Sequence, residues 1–164
     1  EGSAYIIPGT GISLNNMLGE EALNGEGFNR WRLDKRLSSM LSPTIGSYQN
    51  GDLLCTGSGG SSRILSAILQ VLVNMLDYGM SCEEAVSAPR LHYEAGVLSL
   101  EEGFDLERIG TLLDVYQEHR FFGELDEAFG GAHTVAATTG TDPTKVDYLS
   151  GLGDPRRSGA AILV

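Results

Sequence analysis

Asp52-Leu53-Leu54-Cys55-Thr56, then Gly57-Ser58-Gly59-Gly60-Ser61-Ser62, then Arg63-Ile64 and on to Tyr78, set an apolar run, a glycine-serine turn and a long apolar segment end to end. The first reads as a strand and the last as a helix. Ser61 or Ser62 stands where a side chain can cap the helix start, and Gly79 stands where the helix should close. Ile64, Leu65, Ile68, Leu69, Val71, Leu72, Val73, Met75 and Leu76 cover nearly every face of that helix. A helix apolar all round is expected to pack on more than one side, between layers and against a sheet. Glycine between strand and helix lets backbone N–H groups face an anion or oxyanion with no side chain in the way. The turn does not match a phosphate-binding loop, because no Gly-Lys-Ser/Thr follows. The dinucleotide fingerprint also fails, since position 62 is serine and the next acid, Asp77, lies at the end of the same helix. An oxyanion site at the helix start and a purely structural turn fit these residues equally well.

Outward from this stretch, Ser42 to Ile45 and Asp52 to Thr56 read as strands of a hairpin joined at Gln49-Asn50-Gly51-Asp52. Ser3 to Leu14 reads as extended chain broken by the turn residues Pro8-Gly9-Thr10-Gly11, and residues 19–36 as a polar excursion with an exposed Trp31. Downstream, Ser81 and Glu84 form a capping box for a short helix, Cys82 to Ala88, stopped by Pro89. Leu91 to Leu100 is strand-like, and Asp105 caps a helix running to about Tyr116. Ala132 to Thr138, Val146 to Leu152 and Gly159 to Val164 are the remaining strand candidates, with a turn at Gly140 to Thr144. Sequential hairpins interleaved with helices favour a layered α+β arrangement over a doubly wound sheet. Neither a repeat nor a linker is evident, so residues 1–164 are expected to form a single domain.

The net charge is −11, from 22 acids against 11 bases, which argues against a nucleic-acid partner. Ile64 to Leu76 is interrupted by Ser66, Gln70 and Asn74 and is too short to span a bilayer, so no membrane contact is expected from this chain. Glu1-Gly2-Ser3 shows no targeting segment. Cys55 and Cys82 read as buried small residues, and no Cys/His spacing suits a structural zinc; neither metal nor cofactor is expected. Arg30, Arg32, Lys35 and Arg36 form one basic cluster, readable as a solvated loop or as residues that frame an acidic substrate or fix the Ser38-Ser39 loop.

Three further groups carry possible chemistry. Ser38 and Ser39 offer hydroxyls, but His92, His119 and His133 stand in no triad context, so carboxylate binding suits the pair better than nucleophilic attack. Asn15-Asn16 with Glu20-Glu21 can bind a substrate ammonium group or simply cap a turn. Arg63, Arg156 and Arg157 can bind an anion or pair with Asp154 or another acid, and pairing is the commoner use.

Five motifs in order resemble the small subunit of γ-glutamyltranspeptidases: Pro8-Gly9-Thr10-Gly11-Ile12 with Leu14-Asn15-Asn16; Arg36-Leu37-Ser38-Ser39-Met40 with Ser42-Pro43-Thr44; Gly57 to Ile64; Glu84-Ala85-Val86 with Ala88-Pro89-Arg90; and Asp154-Pro155-Arg156-Arg157. The resemblance implies a four-layer αββα sandwich of the N-terminal-nucleophile hydrolase type, incomplete in this chain. It implies a precursor that cleaves itself to expose a threonine, whose hydroxyl attacks a γ-glutamyl amide with its own amine as base. It further implies that Gly60 and Ser61 supply oxyanion-hole N–H groups and that Ser38 and Ser39 hold the substrate α-carboxylate. Asn16, Met17 and Glu20 take the positions around the α-amino group. The implied partners are a large N-terminal subunit from the same precursor and a γ-glutamyl substrate; the implied compartment is periplasmic or extracellular, with a cytoplasmic one left open.

The chain departs from the family pattern in four places. The Thr-x-His motif would lie upstream of Glu1, so the chain by itself is expected to be inactive. Met17 stands where members carry glutamine, and Glu20 where they carry aspartate. Ser61 replaces a glycine while keeping a backbone N–H. The stretch from Glu20 to Ser38 is short for a lid, so an open site is expected, suited to larger donors or to hydrolysis over transfer. A homologue retained for binding alone, or an acylase acting on other amides, fits the same residues.

Overall fold

The computed structural model describes residues 2–27, 30–142 and 144–162. It falls into two compact units, residues 1–40 and 41–164, each described here by itself.

The smaller unit begins with an antiparallel pair, β1 (Gly2–Ile6) and β2 (Ser13–Asn15). Its connection turns at Gly9 and Gly11, both with positive φ, and Thr10 Oγ1 donates to Ile7 O and accepts from Ile12 N. Two single 3₁₀ turns follow, Met17–Gly19 and Glu21–Leu23. Trp31, expected to be exposed, is half-buried, because its indole N–H donates to Leu18 O at 3.3 Å.

The larger unit is built on a four-stranded antiparallel sheet in the order β3 (Thr44–Ser47), β4 (Leu53–Gly59), β8 (Gly131–Thr139), β9 (Val146–Leu152). The β3–β4 hairpin turns where expected, but only Gly51 takes a positive φ; Asn50 instead holds Asp52 through its side chain. Alternation along the strands sorts the two faces. Leu54, Thr56, Ala132 and Thr134 are buried on one of them, beneath α1 (Arg63–Leu76) and α2 (Cys82–Ser87). Ala67, Val71, Cys82, Ala85, Val86 and Ala132 form the core there, with Met75 and Leu152 against it. Ile45, Leu53, Val135 and Leu149 alternate onto the opposite face and are all exposed.

Helix α1 starts and stops close to expectation. Ser62, at the cap position, makes no side-chain cap bond; its hydroxyl accepts from Arg63 Nη1 at 3.0 Å instead. Gly79 does close it, with φ +65 and Met80 N reaching back to Asn74 O. The expectation of packing all round is corrected: Ile64, Ala67, Ile68 and Val71 are buried, whereas Leu65 and Leu69 are 58% and 61% exposed. Helix α2 carries the full Ser81–Glu84 capping box.

Leu91 to Leu100 is not one strand but a hairpin, β5 (Leu91–Glu94) and β6 (Val97–Glu101), because Ala95 and Gly96 both take positive φ. Asp105 caps α3 (Leu106–Val115) through the N–H groups of Glu107 and Arg108, as expected. The chain then returns as β7 (His119–Phe122), parallel to β6, a strand the sequence reading missed. Its pattern is exposed at three of four positions, so it lacks the alternation that marks a half-buried strand. Residues 159–162 are not a strand, and Leu163 and Val164 lie outside the described residues. The α+β expectation holds.

Candidate functional site

The glycine turn continues β4 directly into α1. The β4–β8 ladder ends at the pair Gly59–Gly131. Gly60 then takes φ +124 and Ser61 φ +54, and Ser62 returns to helical angles. Arg63 N donates to Gly60 O and Ile64 N to Ser61 O, winding the first turn of the helix. The turn thus sits at the positive end of the α1 dipole, where exposed backbone N–H groups favour negative charge. Any side chain at Gly60 would force the backbone to shift: a Cβ there would lie 2.9 Å from Gly130 Cα. Gly130 is equally constrained, since its Cβ would lie 2.9 Å from Ser58 Oγ and 3.1 Å from Gly59 O. Ser58 is spent in locking this joint; its hydroxyl donates to Gly59 O and accepts from Gly131 N.

What holds Gly130 in place is a buried ion cluster made from the two C-terminal motifs. Asp154 is fully buried, with Arg90 Nη2 at 2.7 Å and Arg156 Nη1 at 3.3 Å. It also accepts from Ala132 N and Arg156 N. Glu101 takes Arg156 through two oxygens, at 2.7 and 2.5 Å, and accepts from Arg90 N and Asp126 N. The guanidinium groups donate onward to Val86 O, Ala88 O and Phe129 O. Burial pushes the Asp154 carboxyl up, but Arg90, the Arg156 N–H and the Arg156 guanidinium together bring it below its ordinary value. The cluster thus ties the end of α2, the β5–β6 hairpin and the start of β8 together. Asp126 caps the 3₁₀ turn Glu127–Phe129 that delivers Gly130. Arginine here pairs with acids, the commoner of the two uses expected. Arg157 instead runs beside Gly59 and Gly131 and donates to Glu127 O.

Arg63 pairs with Glu94 at 2.8 Å. The Ser62 hydroxyl, and then Arg63, hold the Glu94 carboxyl below its ordinary value. His92, which the sequence reading left without a role, is buried with Nδ1 2.8 Å from Ser66 Oγ. Among the described residues its Nε2 has no hydrogen-bond partner, the Glu94 carboxylate being 3.8 Å away. Burial, reinforced by Arg63, lowers its pKa, so it is neutral near pH 7. Cys82 is buried and Cys55 only half-buried, correcting the expectation for the latter.

The remaining predicted site residues lie in the smaller unit. Asn16, Met17 and Glu20 frame one 3₁₀ turn, in which Glu20 N donates to Met17 O at 3.2 Å. Asn16 does not cap that turn; Asn15 Oδ1 accepts from Met17 N. Met17 and Glu20 are half-buried, whereas Asn16, Ser38 and Ser39 are exposed. Among the described residues, no group of three His, Cys, Asp or Glu side chains is placed to hold a metal ion, and no helix is long and apolar enough to cross a membrane.

Known proteins share both the sequence and the fold. The glutathione hydrolase proenzyme of Escherichia coli (strain K12) is 32% identical over 167 residues, covering 91% of this chain and 28% of that protein. The acylase ACY 1 proenzyme of Pseudomonas sp. (strain SE83) is 32% identical over 171 residues, 99% of this chain and 30% of that one. The chain therefore spans about three-tenths of these curated relatives. The crystal structure of an acivicin-inhibited γ-glutamyltranspeptidase superposes with a TM-score of 0.74 at 30% identity, over 96% of this chain and 87% of that one. The Helicobacter pylori γ-glutamyltranspeptidase T380A mutant gives 0.73 at 30% identity, over 94% and 87%. The family described as gamma-glutamyltranspeptidase matches residues 1–164, and the chain belongs to it.

Proposed function

We propose that this chain is most of the small subunit of a γ-glutamyl hydrolase or transferase that cleaves γ-glutamyl amides such as glutathione. The observation that carries the reading is the Gly60-Ser61 turn, rigid and at a helix start, in a chain of this family. In this reading a threonine upstream in the precursor attacks the γ-carbonyl carbon with its hydroxyl, and its own amine takes the proton. The Gly60 and Ser61 N–H groups stabilise the oxyanion. The C–N bond then breaks, the amine leaves with a proton, and water or an acceptor amine releases the acyl group. Ser38 and Ser39 hold the α-carboxylate, and Asn16, Met17 and Glu20 meet the α-ammonium end.

The partner in this reading is a large N-terminal subunit from the same precursor, completing a four-layer αββα sandwich. The uncovered sheet face supports it: the row Ile45, Cys55, Val135, Gly151 is in register across four strands, and Ile45 and Val135 are 77% and 53% exposed. Such a face on an antiparallel sheet asks for a second layer.

The test is the purified precursor, assayed for self-cleavage and for amine release from a γ-glutamyl anilide and from glutathione. Release that disappears when the new N-terminal threonine is changed to alanine is the expected result. Efficient self-cleavage with no release from either donor would overturn it. An acylase reading is favoured by the equal identity to the ACY 1 proenzyme and by Met17 in place of an amide. Turnover of other side-chain amides in a donor panel, with none of γ-glutamyl compounds, would establish it instead.

A further inference from the structure

The basic cluster of the smaller unit does not lie flat. Arg30, Arg32, Lys35 and Arg36 line a cavity of about 250 Å³, with Trp31 and the Leu23–Glu26 segment forming the rest of its wall. Among the described residues Glu26 is the one acid lining it, and it is engaged by Arg32 at 3.0 Å. Beyond that pair, Arg30, Lys35 and Arg36 line the small cavity as surplus cations, in a chain whose net charge is −11. Asn24 supplies the second observation. It is 8% exposed, lines the same cavity, and its amide Nδ2 has no hydrogen-bond partner among the described residues. A buried donor without an acceptor is costly, and cations around it favour an acceptor that is charged. The cavity is too small for a whole drug-sized ligand and suits one charged group.

We propose that this cavity binds the carboxylate of a small acidic ligand. Asn24 donates through Nδ2, Arg30 and Arg36 give planar forks for the two oxygens, and Lys35 adds a point charge.

Trp31, the sole tryptophan of the chain, lines the cavity and reports on it directly. Glutarate titrated into the full chain should change Trp31 emission saturably, and added salt should weaken the effect. Arg30→Gln with Lys35→Gln should raise the apparent Kd roughly tenfold or more. Glu26→Gln, which frees Arg32, should lower it, and a misfolded variant cannot mimic tighter binding. No saturable change beyond that given by glycerol and matched sodium chloride, or equal affinity in all variants, would overturn the proposal. Inorganic phosphate binding tighter than glutarate would overturn the carboxylate assignment. If the processed precursor leaves γ-glutamyl donors uncut while Trp31 still titrates, the enzymatic reading fails and the pocket stands.

Discussion

The chain concentrates arginine in two places and uses it in opposite ways. Around Asp154 and Glu101, Arg90 and Arg156 are 2% and 6% exposed, each carboxylate meets a guanidinium, and outer N–H groups end on backbone carbonyls, with Arg90 Nε alone left without a partner among the described residues of the cluster. Around Asn24 and Trp31, the cations are exposed and outnumber the acid that lines the same cavity. A buried guanidinium must be matched charge for charge, because desolvation is repaid only by complete pairing. A cluster open to water can stay unmatched, and the excess is then available to a ligand. Surplus charge, rather than charge itself, marks the binding surface.

The sharpest way to break this contrast is Asp154→Ala. It leaves two buried guanidinium groups short of a partner and should destabilise the fold by about 3–5 kcal/mol, read as a fall in the denaturant midpoint. An effect below about 1 kcal/mol, the range of surface pairs, would mean that the cluster is wet. Next in size is Gly60→Ala, expected to cost about 1–3 kcal/mol through the positive φ and the contact with Gly130. In the processed precursor it should also lower kcat.

The pH dependence of unfolding separates the buried groups. His92 has a lowered pKa, so the unfolded chain takes up its proton first; stability should begin to fall as pH drops through 6.5. His92→Gln should flatten that arm. Asp154, also lowered, stabilises the fold fully above its ordinary value of 3.8 and loses that contribution as pH falls further, giving a second arm at lower pH. Smallest of all, Arg30→Gln should change stability by no more than about 0.5 kcal/mol while weakening anion binding. A large stability loss there would turn the open cluster into a structural one.

Much of the fold is legible where a local rule and the tertiary packing agree. The Ser81–Glu84 box, the Asp105 cap and the Gly79 stop are all set by backbone groups within one turn of the residue that serves them. The rule failed at Ser62, whose hydroxyl serves Arg63 and Glu94 instead of the helix start, because a distant strand supplies the competing partners. It failed at Leu91–Leu100, where Ala95 accepts a left-handed turn that glycine or asparagine would have announced. The motifs of the site were visible, yet their division of labour was not. Nothing local in Asp154-Pro155-Arg156 says that its charges meet Glu101 and Arg90, which are brought by other elements. His92 likewise carried no signal, since its partner Ser66 lies on another element.

Glu101 bonds Asp126 N, Asp126 starts the short turn that ends at Gly130, and Gly130 abuts Gly60 with no side chain between them. The last contact in that path is backbone against backbone. Conservative changes in the ion cluster, such as Glu101→Gln or Arg156→Lys, are therefore expected to slow the reaction in molecules that remain folded. Sequence drift would then have to move the two ends of this linkage together, and a homologue with a bulkier residue at position 130 should also carry a rebuilt turn at 60.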